Sequence, residues 1–237
     1  MKRKGMKNKY THIIPYCAVS TGKRNGYHLN KHPWRWLLSP FRPKGLCWTK
    51  TGKGYAIDNG AFVYGQRDLP FDEKPFLKDI DQYGEGADWI VLPDVLYNAD
   101  ATLQIADYWI DRLKGYPLLI VAQDGMTRKD LEYFTKKDIG VFVGGSTDFK
   151  LASLKWIAPL CKQYQVLCHV GRVNTLRRVK LCMSAQVHSF DGSGPARFEE
   201  TARLLTDYLL QLEYDLFPRD FDIIKQKYVK NESDYTM

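Results

Sequence analysis

The chain has 237 residues, of which 44% are hydrophobic and 14% aromatic, values typical of a folded globular protein and not of a disordered one. It contains no run of about 18 apolar residues, which argues against a membrane span, and its basic N-terminal stretch lacks the apolar core of a secretory signal. The sequence therefore predicts a cytoplasmic protein, in the host cytoplasm if it is encoded by a virus.

The net charge of +8 is unevenly distributed along the chain. Residues 1–54 contain 13 Lys and Arg but neither Asp nor Glu, whereas the remainder carries 22 basic and 27 acidic residues. Such segregation indicates a positive surface that faces a polyanion. Residues 23–36 interleave cations with aromatic rings, so we expect phosphate contacts and stacking of the rings on unpaired bases. The rings are those of Tyr27, His28, His32, Trp34 and Trp36. A basic loop whose tryptophans fill the core is the alternative. The candidate phosphate contacts here are Lys23, Arg24 and Arg35.

From residue 11 onward, short apolar runs alternate with amphipathic stretches. The runs are rich in Val and Ile, which is typical of strands buried on both faces of a parallel sheet. Strands are predicted in 11–19, 55–58, 88–94, 117–124, 139–145, 165–171 and 186–192, with a weaker candidate at 45–48. Helices are predicted near 72–84, 99–114, 127–137, 147–163, 174–183 and 196–212.

Seven or eight strands with intervening helices predict an α/β protein, a compact (β/α)₈ TIM barrel in a single domain, with an open doubly wound sheet as the alternative. We expect residues 1–54 to supply the first strands and nucleic-acid contacts, residues 55–215 the barrel core, and residues 216–237 a C-terminal extension and tail. The five cysteines show no C-x-x-C spacing, so neither a disulfide nor a structural metal is expected.

Most of the apolar runs end in a polar or glycine-rich element. The positions concerned are Asp58, Asp94, Gln123, Gly144–Gly145, Gly171–Arg172 and Asp191. Because the carboxyl ends of the strands in a parallel barrel converge on one face, where active sites are built, we expect these residues to lie together. Each also has a structural interpretation: Asp94 can cap a helix, and Asn59-Gly60 is a signal for a hairpin turn.

The order and spacing of these motifs resemble the tRNA-guanine transglycosylase family. The series is "DNGAF" (58–62), "LPD" (92–94), "AQDG" (122–125), "FVGGS" (142–146), "HVGR" (169–172) and "SFDG" (189–192), over roughly residues 54–195. Members of that family are TIM barrels that exchange a guanine in nucleic acid for a 7-deazaguanine base. The resemblance implies a base-exchange glycosyltransferase that takes a 7-deazaguanine, such as the 7-cyano form, as co-substrate. The exchange chemistry itself requires no cofactor or metal.

The resemblance also implies a role for each matching residue. The family's nucleophilic Asp falls on Asp191 and its acid/base Asp on Asp58. A carboxylate at the sugar C1′ traps the oxocarbenium charge as a covalent intermediate, while a second carboxylate shuttles protons between the two bases. Asp94 and Gln123 match the residues that read the base edge, and Gly144 and Gly145 match the backbone that approaches it closely. Phe62 and Val170 occupy the positions that sandwich the base faces, and Asn59 is a further base-binding candidate.

The chain departs from the tRNA-acting members of the family after Asp191. Those members carry a C-x-C-x-x-C…H zinc element there, whereas this sequence has no cysteine after Cys182. It is more similar to compact, zinc-free DNA-guanine transglycosylases, including viral ones, whose products shield a genome from restriction enzymes. DNA is therefore the expected partner and tRNA the alternative. A non-catalytic nucleic-acid-binding barrel and a nucleosidase for small nucleosides are alternatives of other classes.

A second group of cations follows the predicted strand at 165–171. These are candidate phosphate contacts near the pocket, with a solvated helix face as the alternative. The group consists of Arg172, Arg177, Arg178 and Lys180, with Arg197 further along the chain. His169 and His188 precede pocket positions and are candidate pocket residues, the alternative being buried histidines with satisfied hydrogen bonds.

Overall fold

The computed structural model describes residues 13–19, 29, 34–43 and 52–214. Within them, eight parallel strands pair in chain order and the last strand pairs with the first, so that the sheet closes into a barrel. The strands are β1 (Ile14–Ala18), β2 (Arg35–Leu38), β3 (Tyr55–Ile57), β4 (Ile90–Val91), β5 (Leu118–Ala122), β6 (Gly140–Val143), β7 (Cys168–Val170) and β8 (Ser189–Gly192). The predicted (β/α)₈ barrel is confirmed, and the open doubly wound sheet is wrong.

Helices follow the strands from β3 onward. They are α1 (Ala61–Gln66), α2 (Glu73–Tyr83), α3 (Ala99–Arg112), α4 (Arg128–Thr135), α5 (Thr147–Tyr164), α6 (Leu176–Ser184), α7 (Gly194–Arg197) and α8 (Glu199–Tyr214), with a 3₁₀ turn at Gly84–Gly86. Side-chain oxygens cap the free N–H groups at the start of five of them, from Asp72, Asn98, Thr127, Ser146 and Thr175. Each helix predicted from the sequence is present; α1 and α7 are short additions.

The second strand, β2, lies where the sequence predicted nucleic-acid contacts. Trp34 and Trp36 are only 2% and 5% exposed, and the Trp34 indole N–H donates to Thr206 Oγ1 at 2.8 Å. The prediction that these two rings stack on bases is therefore wrong, because both are buried in the core. Lys23, Arg24 and the weaker strand candidate at 45–48 lie outside the described residues.

Side chains of the barrel strands form two separate layers, because successive residues of a strand point to opposite faces. The outer layer packs between the strands and the helices and includes Leu38, Ile57 and Phe190. The inner layer fills the inside of the barrel, and we call it the inner core. It consists of Tyr16, Ala56, Trp89, Val91, Leu119 and Val121.

Strands β1 and β2 come from the basic segment 1–54, so the barrel is completed by residues on both sides of position 54. The described cysteines, at 17, 161, 168 and 182, are free and buried. In the part of the chain that is described, no group of three His, Cys, Asp or Glu side chains is arranged to hold a metal ion. The described helices include none that is both long and apolar enough to cross a membrane.

Candidate active site

Three carboxylates lie at the end of the barrel where the strands finish, which we call the mouth. Asp58 follows β3 directly, Asp94 follows β4, and Asp191 is the third residue of β8. Burial, together with the negative charges of Asp191 and Asp94, raises the pKa of Asp58 to about 7. The structure thus brings together three acids that the sequence placed at strand ends.

Asp191 is 9% exposed and accepts hydrogen bonds on both carboxylate oxygens. His169 Nε2 lies 3.0 Å from Asp191 Oδ2, and the backbone N–H of Arg172 donates to Oδ1 at 3.3 Å. Burial lowers the pKa of His169, which favours the neutral ring with a single N–H. Because a carboxylate only accepts, that proton belongs on Nε2, and Nδ1 accepts from the Ser189 hydroxyl at 2.8 Å.

Aromatic rings surround His169 inside the barrel. The ring is fully buried, and its centroid lies 4.6 Å from that of Trp89, 4.7 Å from Phe142 and 5.8 Å from Tyr16. These contacts fix the imidazole plane and keep water away from its hydrogen bonds. His169 therefore supports Asp191 from below and does not line the open mouth.

Asp94 lies in a hydrogen-bonded cluster with two amide side chains. Asn59 Nδ2 donates to Asp94 Oδ1 at 2.7 Å, and Gln123 Nε2 donates to Asp94 Oδ2 at 2.5 Å. Gln123 Oε1 in turn accepts from the Tyr97 backbone N–H at 3.0 Å, which fixes the amide's orientation. Burial raises the pKa of Asp94 to about 6, although both amides oppose the shift. Each carboxylate oxygen keeps a further lone pair that can accept from another N–H donor.

The residues "DNGAF" form the link from β3 to α1. Asn59 Oδ1 accepts from the Ala61 backbone N–H at 2.7 Å, and Gly60 precedes α1 in the left-handed conformation with φ of 78°. The chain turns into a helix and not into a hairpin. This turn carries Phe62 to the mouth, where the Arg172 guanidinium lies 4.5 Å above its ring.

The two glycines after β6 have packing reasons of their own. A Cβ on Gly144 would lie 2.6 Å from Val121 Cγ1, and one on Gly145 would collide with the Asp124 carboxylate. Asp124 also accepts from the Ser146 backbone N–H at 2.7 Å and from its hydroxyl. Close approach of a base to Gly144 and Gly145 therefore stays a prediction.

Three further predicted site residues do not face the mouth. Val170 faces the outer layer of the core, because its neighbours His169 and Gly171 take the inward-facing positions of this part of the strand. His188 precedes β8, and its Nδ1 accepts from the Cys168 backbone N–H at 3.0 Å. Arg35 begins β2 at the opposite end of the barrel, paired with Asp88 at 2.7 Å. These placements correct the expected base contact by Val170, the pocket role of His188 and the phosphate role of Arg35.

The remaining predicted cations lie around β7, α6 and α7. Arg172, Arg177, Lys180 and Arg197 are exposed, and Arg178 is half-buried. Arg178 Nη1 donates to the carbonyl oxygen of Arg172 at 3.2 Å. The arginines at 172 and 178 thus flank the loop that follows β7, directly beside Asp191.

One cation in this region was not predicted from the sequence. Lys150 of α5 is only 8% exposed, and its Nζ donates to the Gly171 carbonyl oxygen at 3.3 Å. Burial, aided by the charge of Arg172, lowers its pKa to about 8. A signal was present, because Lys150 stands four residues before Leu154 on the buried stripe of this helix.

No protein-family model matches the sequence, and no similar curated protein was found. The solved structures that it resembles include a mandelate oxidase mutant with the C4a-OH-FMN adduct, with a TM-score of 0.56 and 12% identity over 86% of this chain and 73% of that one. The same mutant with (S)-mandelic acid gives a TM-score of 0.54 and 11% identity over 81% of this chain and 67% of that one. These likenesses show the TIM-barrel fold.

Proposed function

We propose that the chain is a glycosyltransferase that exchanges guanine in DNA for a 7-deazaguanine base through a covalent Asp191–sugar intermediate. The observation that carries this proposal is a pair of carboxylates in contrasting environments at one mouth. Asp191 is held in place by N–H donors on both oxygens, whereas the pKa of Asp58 is raised to about 7. The first arrangement suits a nucleophile and the second suits a proton carrier at neutral pH.

The reaction proceeds by two displacements at C1′. An oxygen of Asp191 bonds to C1′ while the bond from C1′ to guanine N9 breaks, and the departing base takes a proton from Asp58. The incoming base then gives its N9 proton to Asp58 and attacks C1′, which releases the Asp191 carboxylate. Because each displacement inverts C1′, the product keeps the original configuration.

The cluster of Asn59, Asp94 and Gln123 supplies recognition of the base. Guanine and its 7-deaza analogues share two kinds of N–H donor on one edge, next to a carbonyl acceptor. Asp94 accepts from such donors. One N–H of the Gln123 amide binds Asp94, and its second N–H donates to the base carbonyl. Adenine has an acceptor at N1 where guanine has an N–H donor, so it would place a lone pair against the Asp94 carboxylate and is rejected. Phe62 provides a ring on which the base stacks.

DNA as the polymer is supported by the cations around the mouth and by the sequence resemblance to compact zinc-free enzymes. A guanine in a duplex must leave the stack to reach Asp191, at a cost of a few kcal/mol. Stacking on Phe62 offsets part of this cost, since a base on an aromatic ring gains about 1–3 kcal/mol. Transfer RNA is the alternative substrate, and the same assay distinguishes the two.

The test measures release of radiolabelled guanine from duplex DNA and from tRNA, with the 7-cyano-7-deazaguanine base supplied. We expect release from DNA by the native protein and none by Asp191→Asn, which should still fold and bind DNA. Asp81→Asn, an exposed substitution on α2, is the matched control and should retain activity.

Each other outcome has a distinct meaning. Release from tRNA alone would support the exchange reaction but make tRNA, and not DNA, its substrate. Release by Asp191→Asn would contradict the assignment of the nucleophile. DNA binding by a folded protein without release from either polymer would favour a non-catalytic nucleic-acid-binding barrel.

A further inference from the structure

A cavity of about 330 Å³, counting the space open to solvent, lies between α5 and α6 beside the end of β7. Its aliphatic part includes Leu151 and Leu181, which are 51% and 39% exposed. The charged side chains among the described residues that line it are Lys150, Arg172 and Arg178, with no Asp or Glu. The cavity surface is therefore mainly apolar, and the charged residues around it are all cations, which cluster at the loop after β7.

The three cations are not neutralised by neighbouring acids. None of them forms an ion pair in the described part of the chain. Lys150 has three N–H donors, of which the Gly171 carbonyl takes one. The carboxylates that act on it electrostatically are Asp191 and Asp124. A buried ammonium with unused donors is costly unless an anion completes its contacts.

The cavity adjoins the proposed reaction centre through a single residue. The backbone N–H of Arg172 donates to Asp191, while its side chain lines the cavity and its guanidinium lies over Phe62. In a nucleic acid, the phosphates on either side of a nucleotide are attached to its own sugar. A sugar whose C1′ meets Asp191 therefore places a phosphate near this residue.

We propose that the cavity binds a phosphate group of the nucleic-acid strand adjacent to the target nucleotide, held by Lys150, Arg172 and Arg178. The aliphatic floor contacts the neighbouring sugar. This inference rests on the proposed function, because the position of the phosphate follows from a sugar at Asp191. It adds to that function a fixed contact that sets the strand's register on the protein.

The first experiment measures binding of a fluorescently labelled DNA duplex over a range of salt concentrations. The variants are Lys150→Met, which keeps the buried aliphatic length, and Arg178→Gln. Each should weaken binding about tenfold at low salt and reduce the slope of log affinity against log salt by about 0.9, the value for one lost phosphate contact. Lys155→Met, on the exposed face of α5, is the control and should change neither quantity.

The second experiment replaces the phosphate on each side of the target guanine, in turn, by a neutral methylphosphonate. At one linkage, the native protein should lose as much affinity as the lysine variant does, and the two changes combined should cost little more than either alone. If the losses simply add at both linkages, the cavity does not hold that phosphate. Stabilisation of the protein by inorganic phosphate, without any effect of the methylphosphonates, would assign the cavity to a free anion and overturn the proposal.

The two proposals fail in different ways. If guanine is exchanged but Lys150→Met and Arg178→Gln leave the salt slope unchanged, the phosphate cavity is wrong and the enzyme assignment stands. If guanine is not exchanged but the methylphosphonate effect persists, the cavity stands and the exchange reaction is wrong. Thermal melting of each variant identifies misfolding, and the partly exposed Arg178 provides a test that does not depend on a buried position.

Discussion

Asp58 is placed so that its carboxyl group gains or loses a proton near neutral pH. Burial makes the anion costly, and the charges of Asp94 and Asp191 add to that cost. The Gly60 backbone N–H, 3.3 Å from Asp58 Oδ2, opposes the shift without cancelling it. Asp58, the proposed proton carrier, therefore also makes the free energy of unfolding depend on pH.

We expect Asp58→Asn to become more stable relative to the native protein as pH rises. A pKa raised from 3.8 to about 7 stabilises the fold fully below pH ~4, and that contribution is lost as pH rises through 7. The upper limit is about 4 kcal/mol; partial exposure of the carboxyl reduces it to about 1–3 kcal/mol. Urea unfolding of both proteins between pH 4.5 and 8 measures the difference. Asp81→Asn should show no such trend, and a flat difference for Asp58→Asn would contradict the raised pKa.

In the proposed reaction, His169 is a positioning residue that acts through Asp191. We expect His169→Phe to lower kcat roughly 10- to 100-fold with little change in KM, because the nucleophile loses a donor while substrate contacts remain. His169→Gln, which restores an N–H, should recover part of kcat. Steady-state kinetics on DNA measure both constants. A rise in KM without loss of kcat, or equal losses in both variants, would argue that His169 only fills space.

The strand-end acids were predictable because each follows an apolar run. The groups that hold these acids in place were not predictable from the sequence. His169 stands within a strand like any buried residue, and its partner Asp191 is 22 residues away. Val170 was misplaced because a sequence motif gives the order of residues but not which face of a short strand each one takes.

The link between β3 and α1 depends on one glycine. Gly60 has φ of 78°, and a Cβ there would lie 3.2 Å from the Phe41 ring. Gly52 also has a positive φ, of 65°, but a Cβ on it would meet nothing within 4 Å. Substitutions at these two positions therefore separate the free-energy cost of a left-handed backbone from the cost of crowding against Phe41.

We expect Gly60→Ala to lower the free energy of unfolding by about 2–3 kcal/mol and Gly52→Ala by about 1 kcal/mol. The first change should also reduce guanine exchange, since it displaces Asp58 and Phe62 on either side of the turn. Chemical denaturation and the release assay measure both effects. Equal losses of stability in the two variants would show that Phe41 moves aside freely.

The helices and most strands were predictable because their periodicity and caps are local. β2 was not, since "RWLL" follows a basic and aromatic stretch that resembles a nucleic-acid contact. It is placed by its pairing with β1 and β3, and Arg35 pairs with Asp88, 53 residues later in the chain. Such a partner has no local signature.

At the scale of the whole molecule, closure of the barrel requires β1 to pair with β8. Tyr16 lies opposite Asp191 in that pairing, so the first described strand supports the last carboxylate of the site. The alternation of strands and helices predicted the barrel, whereas this contact between distant parts of the chain followed only from the structure.

The inner core fills the barrel beneath Asp191 and His169, so the mouth is the side from which a substrate reaches these residues. In the proposed exchange reaction, two bases would share this one opening and one binding position, and guanine would have to leave before its replacement enters. Initial rates at several fixed concentrations of the incoming base should give parallel double-reciprocal lines, the signature of a ping-pong mechanism. Free labelled guanine should also enter unlabelled DNA when no other base is present. Intersecting lines would mean that both bases are bound at once, and that the filled barrel does not impose this order.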